Sequence, residues 1–399
     1  MKIIFAVQAT MKFHDIYDGG TKYIDYLSRY LVKRGLDVTI LTTQVHNKQI
    51  KEASYQRVNY KFLPPIMFGK ERKIKLNMPY KIIFAWNIKK YLEKTDFDIF
   101  HTPEMFAYFY LRKKERKPVI TQCWGLEPFY GPESLSQKWL KKLYVKLFLQ
   151  HPWKYCLVNS DKVASEGEFQ IPLLERIGVD KKNIFTLFNG MNIQEINDVK
   201  KKFQSKRKEL GIKKDDLVLL NVNQIAPDKG VDEIIKGFSL IKKEIKNAKL
   251  IIIGKGKLEG IMHKLIKSYG LEKDVFHRKN IPEDDLYNYH FSSDIFISSV
   301  AGEDFMMSIQ EAMVCGLPVV SSAQSMLVKD GVNGYVIGLH NPKGLKDGVL
   351  KIYKNKQNKK MGKESIKLAK KYDWKNIAKV AIKEYKKLVK IKPKLVEQI

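Results

Sequence analysis

The stretch Gly302-Glu-Asp-Phe-Met-Met-Ser-Ile-Gln-Glu-Ala-Met-Val-Cys-Gly-Leu-Pro-Val-Val320 decides how the chain is read. It spells a loop, a short helix over 308–314, a turn and a buried strand. Gly316 can stop the helix, Pro318 cannot continue it, and the β-branched Val319 and Val320 open the strand. Glu303 and Glu311 stand in this stretch with seven residues between them. Along a helix that separation is about 12 Å. A carboxylate pair for retaining glycoside hydrolysis needs ~5 Å, and the inverting geometry is also shorter. Two working glutamates at this spacing therefore hold different parts of one long ligand. The helix start adds backbone N–H groups and the positive end of the macrodipole, which favour phosphate. A molecule with a diphosphate at its centre and hydroxyl-bearing groups at both ends, a nucleotide sugar, fits this layout.

Around that stretch the composition is globular and basic. At 399 residues the chain exceeds one small core, which suggests two domains. A hydrophobic share of 44% and an aromatic share of 11% exclude a disordered chain. The formal charge of +30 is spread over both halves. It favours anionic partners in general, or is simply a solvated lysine-rich surface. Cys123, Cys156 and Cys315 are odd in number and lack C-x-x-C spacing, which argues against a disulfide framework and a zinc site. The N-terminus reads as a strand and not as a signal peptide, and no run approaches about 18 apolar residues. A cytoplasmic location is expected, with peripheral attachment at the cytoplasmic membrane face as an option.

Apolar runs alternate with helical patterns throughout. Strands are expected over 3–7, 38–42, 99–101, 119–121 and 157–160, with an amphipathic helix over 23–33. A second series begins at 217–221, followed by a helix over 231–243. Strands at 249–253, 275–277, 295–298 and 319–321 complete it. Such alternation implies parallel sheets covered on both faces. The expected fold is α/β, with two Rossmann-like domains, 1–190 and 191–372, facing across a cleft, and a helical pattern over 373–399 led by Trp374.

Other motifs carry weaker signals. Asp18-Gly-Gly20 lies between a strand and a helix, where glycine admits close backbone approach; it also suits an ordinary turn. Lys229 follows the first strand of the second series, at the strand end where open α/β sheets bind ligands. There it can neutralise a diphosphate leaving group, or be one more surface lysine. In Gly254-Lys-Gly-Lys-Leu-Glu-Gly260 the third glycine falls one residue late for a dinucleotide fingerprint. The stretch 139–154 is basic and amphipathic, which suits a membrane surface or an outer helix packed on the first sheet. The basic stretch from Lys70 to Lys75 has the same two readings. His101, His277 and His290 are isolated in the sequence, so no catalytic metal is expected. No nucleic-acid module is present, and no specific nucleic-acid binding is expected.

In their order these segments resemble the retaining family-4 (group 1) glycosyltransferases of the GT-B fold, over nearly the whole chain. Asp18-Gly-Gly20 resembles the N-terminal glycine loop, and Asp98-Ile-Phe-His-Thr102 the strand written D-h-h-H. Asn189-Gly-Met-Asn192 is similar to the connector between domains. Lys229-Gly230, Gly254-Lys-Gly256 and Asp294-Ile-Phe-Ile297 follow in order. Glu303 to Glu311 matches E-x7-E, Asp330-Gly-Val-Asn-Gly334 matches D-G-x-N-G, and Tyr372-Asp-Trp374 resembles the start of the final helix.

The resemblance implies transfer of a sugar from a nucleotide diphosphate sugar to an acceptor the sequence does not name, with retained configuration and without metal or other cofactor. By position Glu303 and Lys229 are the catalytic candidates. Glu311, Gly20, Gln224, Phe305, Met306, Met307 and Ser308 bind the donor, with Glu311 at the ribose. Trp124 and Gly19 are candidate contacts to sugar or acceptor. Apart from the resemblance, the basic stretches make an anionic membrane surface a candidate partner. Gln224 stands where the family has arginine, Met306 where it has glycine, and Trp124-Gly125 where it has His-Gly. Asn192 replaces an aspartate, and 323–327 lacks the usual Gly-Gly and glutamate. These departures keep a non-catalytic nucleotide-sugar-binding subunit open. The charge alone keeps open a basic scaffold on membrane or nucleic acid.

Overall fold

The computed structural model describes residues 1–16, 19–45, 50–67, 78–125, 129, 139–300, 306–322 and 326–390. The chain forms two units. One contains residues 1–190 together with the Trp374–Lys390 helix, and the other is Met191–Asp373.

The first unit is built on β1 (Lys2–Ala6), β2 (Asp37–Val45), β3 (Glu52–Tyr55), β4 (Val58–Met67), β5 (Ile99–Pro103), β6 (Val119–Cys123), β7 (Lys162–Ser165) and β8 (Ile184–Thr186). They lie in the order β3-β4-β2-β1-β5-β6-β7-β8. Every pair is parallel except β3 with β4. That edge hairpin closes on Gln56 and Arg57, both at positive φ, so the turn twists with its strands. Neither residue is Gly or Asn, so sequence patterning gives no warning of it. Ile3 and Phe5 of β1 join one core, while Ile4 and Ala6 join another, as strand alternation requires. The Gly19–Val32 and Trp374–Lys390 helices cover the first face through Tyr23, Leu27, Leu31, Trp374, Ile377 and Tyr385. The Met78–Leu92 helix and His151–Asn159 contribute Phe84, Ile88 and Cys156 to the other.

Residues 157–160, expected as a strand, instead end the His151–Asn159 helix. Cys156 and Leu157 are its buried stripe, and Ser160 leaves the helix in extended conformation. The strand comes next, at Lys162–Ser165, where Val163 and Ala164 are buried from both sides.

The second unit carries β9 (Leu217–Val222), β10 (Ala248–Ile253), β11 (Val275–Arg278), β12 (Ile295–Ile297), β13 (Val319–Ser322) and β14 (Gly334–Ile337), in the order β11-β10-β9-β12-β13-β14. All five pairings are parallel. In both units the aspartate ahead of the strand in the family motif is a sheet clamp. Asp98 Oδ2 accepts the Lys2 N–H at 2.7 Å, and Asp294 Oδ2 accepts the Val218 N–H at 2.8 Å. Arg207 Nη2 completes the second clamp at 2.7 Å from Asp294 Oδ2. These carboxylates hold the amino ends of the strands, away from the carboxyl ends where ligands of such sheets bind.

Candidate functional site

In the second unit the strand order reverses between β9 and β12. The loops leaving their carboxyl ends meet at this switch point. After β9 the chain runs through Asn223 and Gln224 to a single turn at Pro227–Lys229. It then enters the Val231–Glu244 helix at Gly230. Gly230 is left-handed at φ +60, and a Cβ there would stand 1.9 Å from the Ser299 carbonyl oxygen just beyond β12. Only a residue without Cβ allows this approach. The contact places the loop bearing Lys229 against the chain that leads into the Glu303–Glu311 stretch.

A second link reinforces the first. Glu233, in the first turn of the Val231–Glu244 helix, is buried, and its Oε2 accepts the Ser299 hydroxyl at 2.6 Å. Its other oxygen pairs with Nδ1 of His340, a residue held at positive φ just before the Pro342–Lys354 helix. Neither Glu233, Ser299 nor His340 was legible as a site residue. The only hint is an acid placed at the position of a capping box, above a glycine that has no side chain to cap with.

The glycines at 254 and 256 have a steric role. A Cβ at Gly254 would lie 1.8 Å from the Asn223 carbonyl, and one at Gly256 would lie 2.3 Å from that of Ile225. The β10 loop is thus pressed onto the β9 loop. The Ile225 N–H reaches the Lys255 carbonyl at 3.1 Å, and the Leu258 N–H reaches that of Ile225 at 3.1 Å. Gln224 is exposed on this double loop, its N–H donated to Asn223 Oδ1 at 3.0 Å. Lys229 Nζ lies 3.1 Å from Asp228 Oδ2, so its ammonium is held by a carboxylate that is itself largely exposed.

On the other side of the switch point, the Met307–Val314 helix begins without a side-chain cap. Met306 precedes it, nearly buried, and its thioether accepts the Ser298 hydroxyl at 3.6 Å. Met307 and Ser308 form the half-buried first turn, where N–H groups lack intrahelical acceptors. Glu311 is buried within this helix. Burial first, and the Glu311 charge second, push the Cys315 thiol well above its ordinary range, so this cysteine is no nucleophile. Glu303 and Phe305 lie outside the described residues, as does Asp18. Lys229, Gln224, Met306, Met307, Ser308 and Glu311 all belong to the second unit.

Gly20 and Trp124 meet in the first unit. A Cβ on Gly20 would stand 2.6 Å from the Trp124 ring, while Gly19 is exposed at the helix start. The Trp124 indole N–H is buried without a hydrogen-bond partner among the described residues. Beneath it Gln122 Oε1 accepts from the Tyr23 hydroxyl at 3.0 Å and faces His101 Nε2 at 3.3 Å. Burial lowers His101 to about 3, so the ring is neutral. An amide oxygen only accepts, so Nε2 carries the proton, and Nδ1 accepts from the Tyr385 hydroxyl at 2.7 Å. His101 is therefore a core tie from β5 to the Trp374–Lys390 helix. His277, expected to be isolated, has a neighbour: its Nδ1 lies 3.2 Å from His263 Nε2, and its Nε2 lies 2.9 Å from the Gly254 carbonyl. Among the described residues no group of three or more His, Cys, Asp or Glu could hold a metal ion.

Comparison with known proteins agrees with this architecture. The sequence profile of the group 1 glycosyl transferases matches residues 202–368, and that of Glycosyltransferase Family 4 matches residues 17–195. An uncharacterized glycosyltransferase of Methanocaldococcus jannaschii is 25% identical over 334 residues, covering 78% of this chain and 80% of that one. Sucrose-phosphate synthase from Thermosynechococcus elongatus superimposes with a TM-score of 0.78 at 18% identity, over 97% of this chain and 98% of that one. Anabaena HepE, crystallised with UDP-glucose, gives 0.70 at 15% identity, over 97% and 100%. The two profiles fall one on each sheet, and the solved neighbours share the two-sheet architecture end to end. The chain therefore belongs to the group 1, family 4 glycosyltransferases and has their GT-B fold.

Proposed function

We propose that this glycosyltransferase takes its sugar from a nucleotide diphosphate sugar, bound at the β9/β12 switch point, and transfers it to an acceptor hydroxyl with retained configuration. The observation that carries the proposal is the seating of Gly230 on the Ser299 carbonyl, which brings the Lys229 loop beside the approach to Glu303. In this reading Lys229 and the uncapped N–H groups at Met307 and Ser308 draw charge from the diphosphate as it leaves. Glu311 takes the ribose hydroxyls, and Glu303 holds the donor sugar. The bond from the anomeric carbon to the diphosphate breaks on the face where the acceptor oxygen bonds. The departing diphosphate oxygen takes the acceptor's proton. No metal or other cofactor is required, because the lysine and helix start supply the positive field. HepE, a neighbour in fold, was crystallised with UDP-glucose, which supports a nucleotide sugar as the ligand class.

A panel of nucleotide sugars, followed by product analysis, tests the proposal. Lys229→Ala and Glu303→Gln should depress turnover by about a hundredfold or more, with unfolding little changed. Near-normal transfer by either variant contradicts it. Gln224, exposed and uncharged, keeps a second reading in view, that of a subunit which binds donor without transferring it. Donor binding with neither transfer nor slow donor hydrolysis would select that reading.

A further inference from the structure

The exposed apolar side chains of the first unit are unevenly placed. Trp139 is 69% exposed, Leu147 52% and Trp86 42%, with Leu143, Phe148, Ile66 and Ile83 also exposed. The helix Trp139–Tyr144 runs through a π-helical stretch, Val145–Gln150, into His151–Asn159. Trp139, Leu143 and Leu147 recur every four residues along it, which makes one stripe. Trp86 lies on the Met78–Leu92 helix, and a chain of rings joins the two helical segments. Trp86 packs on Phe109 at 5.3 Å, Phe109 on Tyr108 at 5.2 Å, and Tyr108 on Tyr155 at 5.3 Å. Tyr108 and Tyr155, with Tyr144 and Leu149 of the same helical segment, pack on the core of Phe84, Phe106 and Tyr110, which is separate from the core that the Trp374–Lys390 helix joins.

Charge completes the pattern. Neither 78–92 nor 139–159 contains an aspartate or glutamate, whereas they carry Lys81, Lys89, Lys90, Lys141, Lys142, Lys146 and Lys154. Two acids nearby are paired: Glu104 with Lys81, and Glu93 with Lys89 and Lys113. Lys90, Lys146 and Lys154 are exposed and form no ion pair among the described residues. The ammonium of Lys90 lies 5.7 Å from the centre of the Trp86 ring. Exposed Trp, Leu and Phe on an acid-free, lysine-bearing helical face is the chemistry of a surface that enters the headgroup layer of an anionic bilayer. There aromatic rings sit at the interface, aliphatic tips reach the acyl boundary and ammonium groups meet lipid phosphates. Among the described residues no helix is long and apolar enough to cross a membrane, so the attachment is along the surface.

We propose that this face of the first unit docks on the surface of an anionic lipid bilayer, with Trp139, Leu143, Leu147 and Phe148 inserted and Lys90, Lys146 and Lys154 on the headgroups. The proposal does not depend on which donor the second unit binds. Its test is sedimentation of the full chain with sucrose-loaded vesicles of phosphatidylcholine, with and without phosphatidylglycerol, across a salt series. Wild type should sediment with the anionic vesicles, be released by salt and ignore pure phosphatidylcholine. Removing one docked lysine should weaken binding about fivefold, and the Lys146→Glu, Lys154→Glu pair more than the product of two such losses. Leu147→Glu should weaken it by roughly tenfold or more. Val380→Glu, on the Trp374–Lys390 helix, should change nothing. Each variant should keep the wild-type unfolding temperature and nucleoside diphosphate affinity, since all four positions are exposed. Absence of wild-type binding, equal binding to both vesicle types, or indifference to Leu147→Glu overturns the proposal. So does concentration-dependent self-association that Leu147→Glu abolishes, because the face then belongs to a second copy of the chain.

Discussion

Gly230→Ala tests the geometry of the switch point. Two costs fall on this substitution. The backbone at φ +60 is left-handed, which an L-residue with a Cβ occupies at about 1–2 kcal/mol. The new Cβ would also stand 1.9 Å from the Ser299 carbonyl oxygen, and must retreat by about 1.5 Å to reach ordinary contact. Forcing such an overlap in packed structure costs about 1–3 kcal/mol more. Gly211 supplies the control, because its φ is +66 and nothing lies within 4 Å of the Cβ it lacks. Gly211→Ala should therefore show the backbone cost alone, and urea unfolding of the two variants should differ by about 1–3 kcal/mol. Displacement of the Lys229 loop by this distance should also cost turnover roughly a hundredfold in Gly230→Ala and nothing in Gly211→Ala. Equal destabilisation by the two variants, or unchanged turnover in Gly230→Ala, would refute the argument.

Three further outcomes follow from the same contacts. Ser299→Ala leaves the buried Glu233 carboxylate without its hydroxyl donor, so stability should fall by about 1–3 kcal/mol in urea unfolding; Glu233→Gln should be milder, because an amide oxygen still accepts. Gly190→Ala would put a Cβ 2.4 Å from the Trp374 ring, and it should approach the loss of about 3–5 kcal/mol expected for Trp374→Ala, seen as a lowered unfolding temperature. His101 takes its proton at about 3 in the fold but near 6.5 when unfolded, so the unfolded chain binds the extra proton between those values. Its contribution is full above the unfolded value and is lost as pH falls, by about 2 kcal/mol at pH 5; His101→Gln should flatten that part of the stability profile.

The fold was legible because its strands are continuous apolar runs separated by helical periodicity. Residues 217–221 and 249–253 read as strands at once, and β9 and β10 occupy them within one residue at each end. Edges were harder. The β3–β4 hairpin turns on Gln56 and Arg57, whose identities do not announce a left-handed turn, and 157–160 carries the apolar pair of a helix end. Position in the sequence made Glu303, Glu311 and Lys229 candidates, and marked even the glycines. It could not tell why each glycine is required. Gly230 answers to Ser299, Gly254 to Asn223 and Gly190 to Trp374, all partners distant in the chain except by folding. Glu233 and His340 escaped notice for the same reason: 107 residues separate them. The aspartates of the strand motifs, Asp98 and Asp294, are clamps at the opposite strand ends, a role the motif alone does not announce.

A crystal structure with the tightest binder among UDP, GDP, ADP, CDP and dTDP should show the β-phosphate within hydrogen-bond reach of Lys229 and the first N–H groups of the Met307–Val314 helix, with the ribose hydroxyls on Glu311. A nucleotide bound elsewhere in the second unit, or on the first, would contradict that placement.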